Sequence, residues 1–234
     1  MCGHFSINYL NLAELIERFS LGGFPDADPF FASAASKDCY PSRGNVSSYV
    51  PAIIRENDFR KLSVFRWDIV PGWWSKPLKE KKFASFNARS DSLNEKPVFK
   101  KAWKNRQRCL IPATAFYEWP DKKQISPGIK RMEYAISIKG TKIFSMAGIW
   151  DAAALPDSDT TLRSCAIITT DANEAIAKIP HTRMPVILKE EDEDEWLDVG
   201  TAPDSAFKML HQYPEEKLII QAGGIDNQLR MTYA

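Results

Sequence analysis

The residue with the most distinctive chemistry in this 234-residue chain is the cysteine at its second position. Aminopeptidases remove an initial methionine when a small residue follows, so Cys2 is expected to lose Met1 and to become the first residue. It would then carry an α-amine with a pKa of about 7.7–8.0 beside a thiol with a pKa of about 8.5. Such a 1,2-aminothiol suits an aldehyde, because the amine forms a Schiff base and the thiol closes on the imine carbon to give a thiazolidine. The alternative is that Cys2 is a small buried residue in a first strand.

Two residues further along the chain have side chains suited to proton transfer. Glu118 lies between two aromatic residues at the end of an apolar run, where a partly desolvated carboxyl with a raised pKa would suit general acid–base chemistry. On this segment alone, a carboxylate facing water at a strand edge is the favoured alternative. His181 lies in a loop bracketed by prolines and could shuttle protons near neutral pH, although a lone histidine is more often a hydrogen-bonded structural residue.

A third stretch, Asn87-Ala88-Arg89, places an amide two positions before a guanidinium. Asn87 offers both a hydrogen-bond donor and an acceptor, and the planar fork of Arg89 matches a phosphate. Taken by themselves, both residues are equally plausible as organisers of a loop.

The elements that must position these residues indicate an α+β fold. Short runs rich in β-branched and aromatic residues predict strands at 50–54, 62–70, 108–111, 116–119, 132–138, 143–150, 165–170 and 184–188. Apolar residues at helical spacing predict helices at 10–19, with Asn11 as its cap, and at 98–104, 172–177, 190–197 and 204–211. Strands and helices do not alternate strictly, so we expect a curled antiparallel or mixed sheet with peripheral helices. No linker or repeat divides residues 1–234, which predicts one domain whose last 15 or so residues form a tail.

Composition excludes several classes of protein. The chain has 31 basic and 30 acidic residues and is 44% hydrophobic, which is typical of a globular protein and excludes disorder as its main state. Its four cysteines form no C-x-x-C pair, so neither a disulfide framework nor a zinc finger is expected. The first residues show no signal-peptide pattern and no apolar run is long enough to cross a membrane, so we expect a cytoplasmic protein without membrane contact.

The near-neutral total hides a strongly uneven distribution of charge. Residues 60–108 hold 14 basic and 4 acidic side chains, whereas residues 189–204 hold 1 basic and 8 acidic ones. We interpret the first segment as a basic face that follows phosphates, and the second as an acidic helix on the far side that limits indiscriminate nucleic-acid binding.

Five motifs in the same order resemble the SRAP (SOS-response-associated peptidase) family, whose members recognise abasic sites in single-stranded DNA. The match runs nearly end to end and rests on Met1-Cys2-Gly3, Trp67 with Pro71-Gly72-Trp73-Trp74, Asn87-Ala88-Arg89, the 108–119 segment and His181-x-Arg183-Met184-Pro185. The resemblance implies a single domain with a barrel-like β core, in which Cys2 crosslinks covalently to the ring-opened deoxyribose and shields the lesion. Asn87, Glu118 and His181 would support that reaction, which has the character of lyase Schiff-base chemistry.

The resemblance also implies which residues contact DNA. Arg89 and Arg183 would hold phosphates, and Trp73, Trp74 and Trp119 would offer aromatic surfaces for bases, although tryptophan is more often a core residue. Trp73 and Trp74 are favoured because two adjacent strand residues cannot both point inward. No metal or organic cofactor is implied, and the expected partner is single-stranded DNA with an abasic site, bound by a monomer that associates with the nucleoid if the source is bacterial.

The sequence departs from the family pattern at a few positions. His4 stands where the family usually has an arginine that contacts phosphate, and Arg43 is the candidate that takes over this contact. The usual Trp-Gly is Trp67-Asp68, and the carboxylate that follows the Asn-Ala-Arg motif is the shorter Asp91. These changes bear on DNA affinity and sequence context more than on the crosslinking reaction.

Three other functions remain open from the sequence. A glutamine amidotransferase with an N-terminal nucleophile also begins Met-Cys-Gly, but the Gly-rich and Arg-Gly-Pro-Asp-like segments expected of that class are missing. A peptidase or self-processing activity would combine Cys2 with His181 and Glu118. A non-enzymatic single-stranded DNA binder would need only the basic stretch.

Overall fold

The computed structural model describes residues 2–9, 12–22, 35–42, 48–121, 132–179 and 181–223. Over these ranges the chain forms thirteen strands and five α-helices. The strands are β1 (Phe5–Tyr9), β2 (Ala35–Cys39), β3 (Tyr49–Glu56), β4 (Phe59–Trp67), β5 (Asn87–Arg89), β6 (Arg108–Ala113), β7 (Ala115–Glu118), β8 (Tyr134–Ile138), β9 (Phe144–Ala154), β10 (Thr161–Asp171), β11 (Arg183–Pro185), β12 (Ile187–Leu188) and β13 (Leu218–Ala222). The helices are α1 (Leu12–Phe19), α2 (Pro97–Lys104), α3 (Glu174–Ala177), α4 (Glu193–Leu197) and α5 (Pro203–Phe207).

Five strands close on themselves into a mixed barrel. Their order is β10, β4, β3, β6 and β9, and β9 pairs back onto β10. The β4–β10 pair is parallel, with Cys165 opposite Trp67, and the other four pairs are antiparallel. Closure removes the unpaired edges that an open sheet of these strands would expose. The α+β fold with a barrel-like mixed core is thereby confirmed.

A second, antiparallel sheet has the order β13, β8, β7, β1 and β2. The chain passes from the barrel into this sheet at Thr114, between β6 and β7. The Thr114 backbone N–H and hydroxyl both donate to the Ser6 carbonyl oxygen, at 2.8 and 3.1 Å. This crossing brings the end of β7 next to the start of β1.

Helices α2 and α4 pack against barrel strands, α2 on β9 and α4 on β6. In α2, proline occupies the first turn, where its missing N–H costs nothing, and Phe99, Ala102 and Trp103 are buried at i, i+3 and i+4 spacing. Trp103 packs against Trp196 of α4, with ring centroids 6.1 Å apart. The lysines of α2 therefore face outward.

The acidic segment is tied to the rest of the molecule by ion pairs. Glu193, only 1% exposed, accepts hydrogen bonds from Arg18 at 2.8 Å, Arg60 at 3.0 Å and the Ser145 hydroxyl at 2.8 Å. Its neighbour Asp194 pairs with Arg55. Three carboxylates of this segment, on Glu190, Glu193 and Asp194, thus pair with arginines of the first 60 residues, and its expected effect on nucleic-acid binding stays a prediction.

Several element boundaries differ from the sequence prediction. The strand expected over 62–70 ends at Trp67, where Asp68 takes a φ of 155°, so Trp73 and Trp74 lie in a turn and not in a strand. The helices expected at 190–197 and 204–211 are shorter, and β1, β2, β5 and β13 follow no pattern that the sequence made evident. The Asn11 cap and residues 224–234 lie outside the described residues. Over the described ranges, the structure contains no helix that is long and apolar enough to span a membrane.

Candidate active site

Four chain segments meet where the barrel borders the second sheet. Cys2 precedes β1, Asn87 begins β5, Glu118 ends β7 and His181 lies just before β11. β1 and β7 are paired with Phe5 opposite Phe116, so the antiparallel register carries the residues before Phe5 alongside Glu118. β5 and β11 both pair with β10, through Asn87 opposite Ile167 and Arg183 opposite Asp171. The four residues that the sequence predicted as catalytic are thus brought to one place by the two sheets.

Cys2 is fully buried and fixed through its backbone. The Asn87 side-chain N–H donates to the Cys2 carbonyl oxygen at 2.7 Å, and the thiol lies 3.9 Å from the His4 carbonyl oxygen. Burial, followed by the negative charge of Glu118, raises the pKa of the Cys2 thiol far above its ordinary value. Such a shift keeps the sulfur as a protonated thiol at neutral pH.

Glu118 and His181 form a buried acid–base pair. His181 Nε2 lies 3.0 Å from Glu118 Oε2, and the two side chains are 10% and 1% exposed. His181 Nδ1 is 3.1 Å from the Trp119 carbonyl oxygen, and because a carbonyl can only accept, Nδ1 must carry a hydrogen. The contact between Nε2 and Oε2 is then a hydrogen bond along which a proton can be exchanged between the imidazole and the carboxyl group. The water-facing alternative for Glu118 is wrong, because β7 is buried on both faces.

Asn87 also offers an acceptor to the site. Its Oδ1 is shielded from solvent and has no hydrogen-bond partner within the described part of the chain. With its N–H donors turned toward Cys2, the amide leaves this oxygen for a donor that arrives with a substrate or for the α-amine of Cys2.

The residues predicted to contact DNA divide into exposed and buried ones. Arg89 is exposed and forms a bidentate pair with Asp91 at 3.1 and 2.5 Å, which raises the pKa of Arg89 and lowers that of Asp91. Trp73 is 48% exposed, whereas Trp74 packs partly buried against a small apolar cluster that includes Val70.

Trp119, His4 and Arg183 lie deeper. Trp119 is partly buried against a small apolar cluster at β7 and β8. The His4 ring is stacked between Tyr40 and Tyr117, with centroids 4.3 and 4.0 Å away.

The polar atoms of His4 and Arg183 face protein groups. His4 is 5% exposed, and its ring nitrogens lie 3.1 Å from Asp38 and 3.2 Å from Glu133. Arg183, 8% exposed, donates to Asp171 at 2.7 Å and to a backbone carbonyl of β10. Arg43 lies outside the described residues.

Sequence reasoning missed a buried charge cluster next to this site. Lys81 Nζ donates to Asp68 Oδ2 at 2.7 Å, and the other oxygen of Asp68 accepts from the backbone N–H and hydroxyl of Ser85 at 2.7 and 3.0 Å. The available signal was the Asp at position 68, in place of the glycine that its φ of 155° would suit. Across the described ranges, no group of three or more His, Cys, Asp or Glu side chains is arranged to hold a metal ion.

Fold and site together define the class: an α+β protein with a mixed five-stranded barrel and a candidate thiol site at its border with a second sheet. The sequence model of the SOS response associated peptidase (SRAP) family matches residues 1–222. The chain therefore belongs to the SRAP family.

Relatives and solved structures agree with this assignment. The chain is 33% identical over 224 residues to the abasic site processing protein YoqW of Bacillus subtilis, covering 93% of this chain and 90% of that protein. It is 32% identical over 169 residues to the abasic site processing protein HMCES of Xenopus tropicalis, covering 65% of this chain and 50% of that protein. A crystal structure of a protein from Bacteroides thetaiotaomicron superposes with a TM-score of 0.78 at 27% identity, covering 97% of this chain and 93% of the other.

Proposed function

We propose that this protein recognises abasic sites in single-stranded DNA and forms a covalent thiazolidine crosslink through Cys2 once Met1 has been removed. One observation carries the proposal. The Asn87 side-chain N–H donates to the Cys2 carbonyl oxygen at 2.7 Å, which fixes Cys2 beside the buried Glu118–His181 pair. An aldehyde is the electrophile that a 1,2-aminothiol takes, and the ring-opened abasic sugar presents one at C1′. The names of the relatives, abasic site processing proteins, support this choice of substrate.

The reaction needs no oxidant and releases one water. Glu118, which receives a proton from His181 Nε2, passes it to the ring oxygen of the sugar and takes up the proton of the C1′ hydroxyl, so the ring opens to the aldehyde and the pair regains its proton. The Cys2 amine attacks C1′, and the carbinolamine hydroxyl leaves as water with a proton from the Glu118–His181 pair, giving the protonated imine. The Cys2 sulfur then bonds to C1′, the C=N electron pair moves to nitrogen, and the thiol proton returns to the Glu118–His181 pair.

Burial of the thiol supports this order of steps. A thiol with a raised pKa is a weak nucleophile, and the protonated imine is a far better electrophile than the aldehyde from which it forms. The amine therefore acts first and the sulfur closes the ring afterwards.

A peptidase that uses Cys2 is less well supported. A thiol nucleophile of that class is activated by an imidazole that takes its proton. Here the two His181 ring nitrogens face Glu118 and the Trp119 carbonyl oxygen, while the thiol faces the His4 carbonyl oxygen.

The test incubates the protein with a single-stranded oligonucleotide that carries one abasic site and follows a heat-resistant species on a denaturing gel. Cys2→Ala keeps a small second residue, so its amine should still give a borohydride-reducible imine but no heat-resistant product. Cys165→Ala, which removes a buried cysteine of the barrel, should crosslink like the wild type. Mass spectrometry of the product should show Cys2 without Met1, joined to the DNA with loss of one water. A heat-resistant crosslink in Cys2→Ala, or Met1 retained in the product, contradicts the mechanism.

A further inference from the structure

An open cleft of about 580 Å³ lies between the end of β4 and the start of β5. Its floor contains Arg66, Asp68 and Lys81, and its rim contains Lys79, Lys82 and Phe83. Four cations and one carboxylate thus surround a space large enough for part of a nucleotide.

The floor concentrates positive charge in a buried place. Lys81 Nζ donates to Asp68 at 2.7 Å and to the Phe83 carbonyl oxygen at 2.7 Å, and an Arg66 nitrogen lies 3.8 Å from the same carboxylate. Asp68 therefore faces two cations, both less than 10% exposed. Desolvation lowers the pKa of both Arg66 and Lys81, and an anion in the cleft would offset that cost.

The rim adds exposed charge and an aromatic surface. Lys79 and Lys82 are exposed, and within the described ranges no carboxylate lies within 4 Å of either ammonium group. Phe83 is 42% exposed, lies beneath the Lys81 ammonium at 4.5 Å, and meets Trp74 edge-on at 5.8 Å. Trp73 follows at 6.3 Å from Trp74, so an aromatic row leads to the cleft.

The cleft is connected to the candidate active site through the backbone. Phe86 forms part of its wall, and the next residue is Asn87, which binds the Cys2 carbonyl oxygen. The Phe86 carbonyl oxygen accepts from the Trp67 indole N–H at 2.9 Å, which fixes this wall to the end of β4. The wall of the cleft and the residue that binds Cys2 are therefore neighbours in the chain.

We infer that the cleft binds a phosphodiester of the strand that flanks the lesion, on one side only, with the adjoining base against Phe83. Basic grooves that follow the backbone, together with exposed aromatic rings for the bases, are how proteins hold single strands without reading sequence. This inference rests on the proposed function, and it narrows the basic face expected over residues 60–108 to Lys79, Lys82 and Phe83, which lie outside the five sequence motifs.

The test measures binding without the covalent step. Single-stranded oligonucleotides carry a tetrahydrofuran abasic analogue, which has no aldehyde, and their flanks are lengthened one nucleotide at a time on either side. Wild-type affinity, read by fluorescence anisotropy, should increase stepwise on one side as the flank reaches the cleft. The double variant Lys79→Glu with Lys82→Glu should abolish that increase and lower affinity about tenfold. The slope of log affinity against log salt concentration should become shallower by about 0.7 for each phosphate that the variant no longer binds. Phe83→Ala should weaken binding at least about fivefold, because the base then has no ring on which to stack.

Controls separate this inference from the proposed function. Lys139→Glu with Lys208→Glu makes the same change of charge at two exposed positions outside the cleft and should alter affinity less than twofold. If the cleft variants keep the same affinity as this control variant, the cleft does not bind the strand. This conclusion holds whether or not the wild type forms the crosslink. If inorganic phosphate or a deoxynucleoside monophosphate competes but no dependence on flank length appears, the cleft binds small phosphates and the inference is wrong. Crosslinking of a natural abasic site at saturating DNA reports separately on Cys2 and should be unchanged in the cleft variants.

Discussion

Replacing Glu118 by glutamine should separate proton transfer from binding. The glutamine side chain keeps the size of the carboxyl and can still hydrogen-bond to His181, so the 3.0 Å contact and the packing of β7 should persist. What it loses is the ability to exchange a proton with the imidazole. General acid–base groups contribute about 10²–10⁴-fold, and the lower end, about 100-fold or 2.7 kcal/mol, is expected because His181 remains as a partner.

The thiol provides a check on the direction of the effect. The negative charge of Glu118 raises the pKa of the Cys2 thiol, so Glu118→Gln lowers that pKa and increases the thiolate fraction. A mechanism limited by sulfur attack would therefore become faster in the variant. Slower crosslinking would instead locate the loss in the proton transfers of ring opening and imine formation.

The assay is a single-turnover time course with protein in excess over an oligonucleotide that carries one abasic site, quenched and resolved on a denaturing gel. Affinity is measured in parallel on the tetrahydrofuran analogue and should stay within twofold of the wild type. Glu174→Gln, at an exposed residue of α3, is the matched control and should change neither quantity. A rate within threefold of the wild type, or a fall in affinity as large as the fall in rate, refutes the role given to Glu118.

Three further variants test other parts of the structure. Glu193→Ala should lower the free energy of unfolding by about 3 kcal/mol, because the loss of this buried carboxylate leaves Arg18 and Arg60 without their partner. Urea titration measures this loss, and the control variant Glu191→Ala should show no comparable change. Asp91→Asn should release Arg89 to bind a phosphate, so affinity for single-stranded DNA should rise. The slope of log affinity against log salt concentration should steepen by up to about 0.7, and an unchanged slope would contradict a phosphate contact by Arg89. Trp73→Ala should weaken binding by about 1–3 kcal/mol with unchanged thermal stability if its half-exposed ring stacks on a base.

Local sequence patterns predicted the barrel strands that carry their own apolar signal. β9 and β10 are long runs of buried β-branched and small residues, and both were predicted near their observed positions. β2 is a polar five-residue segment and β5 only three residues long, so neither has a periodicity of its own. They are strands because β1 and β10 supply hydrogen-bond partners, which is a tertiary effect.

The candidate site was predicted as a set of residues but not as an arrangement. Nothing in the spacing of Glu118 and His181 indicates a contact of 3.0 Å, because the crossing at Thr114 and the pairing of β11 with β10 determine it. Trp73 and Trp74 lie in a turn after Asp68 and not in the predicted strand, and the turn exposes Trp73 while Trp74 stays partly buried. The position of His4 depends on Asp38 and Glu133, and that of Arg183 on Asp171 across the β10–β11 pair, which no local pattern reveals.

Strand β10 positions two segments of the candidate site, β5 with Asn87 and β11, which begins two residues after His181. One of its edges pairs with β4 and then with β5, and the other pairs with β9 and then with β11. Ile167, which sets the position of Asn87, and Asp171, which sets that of Arg183, are four residues apart, or about 13 Å at the rise of an extended strand. Displacement of β10 therefore moves both partners together and leaves their separation unchanged. The amide hydrogens at the centre of this strand should exchange with solvent only through global unfolding, so the site should keep its geometry up to the temperature at which the whole barrel opens.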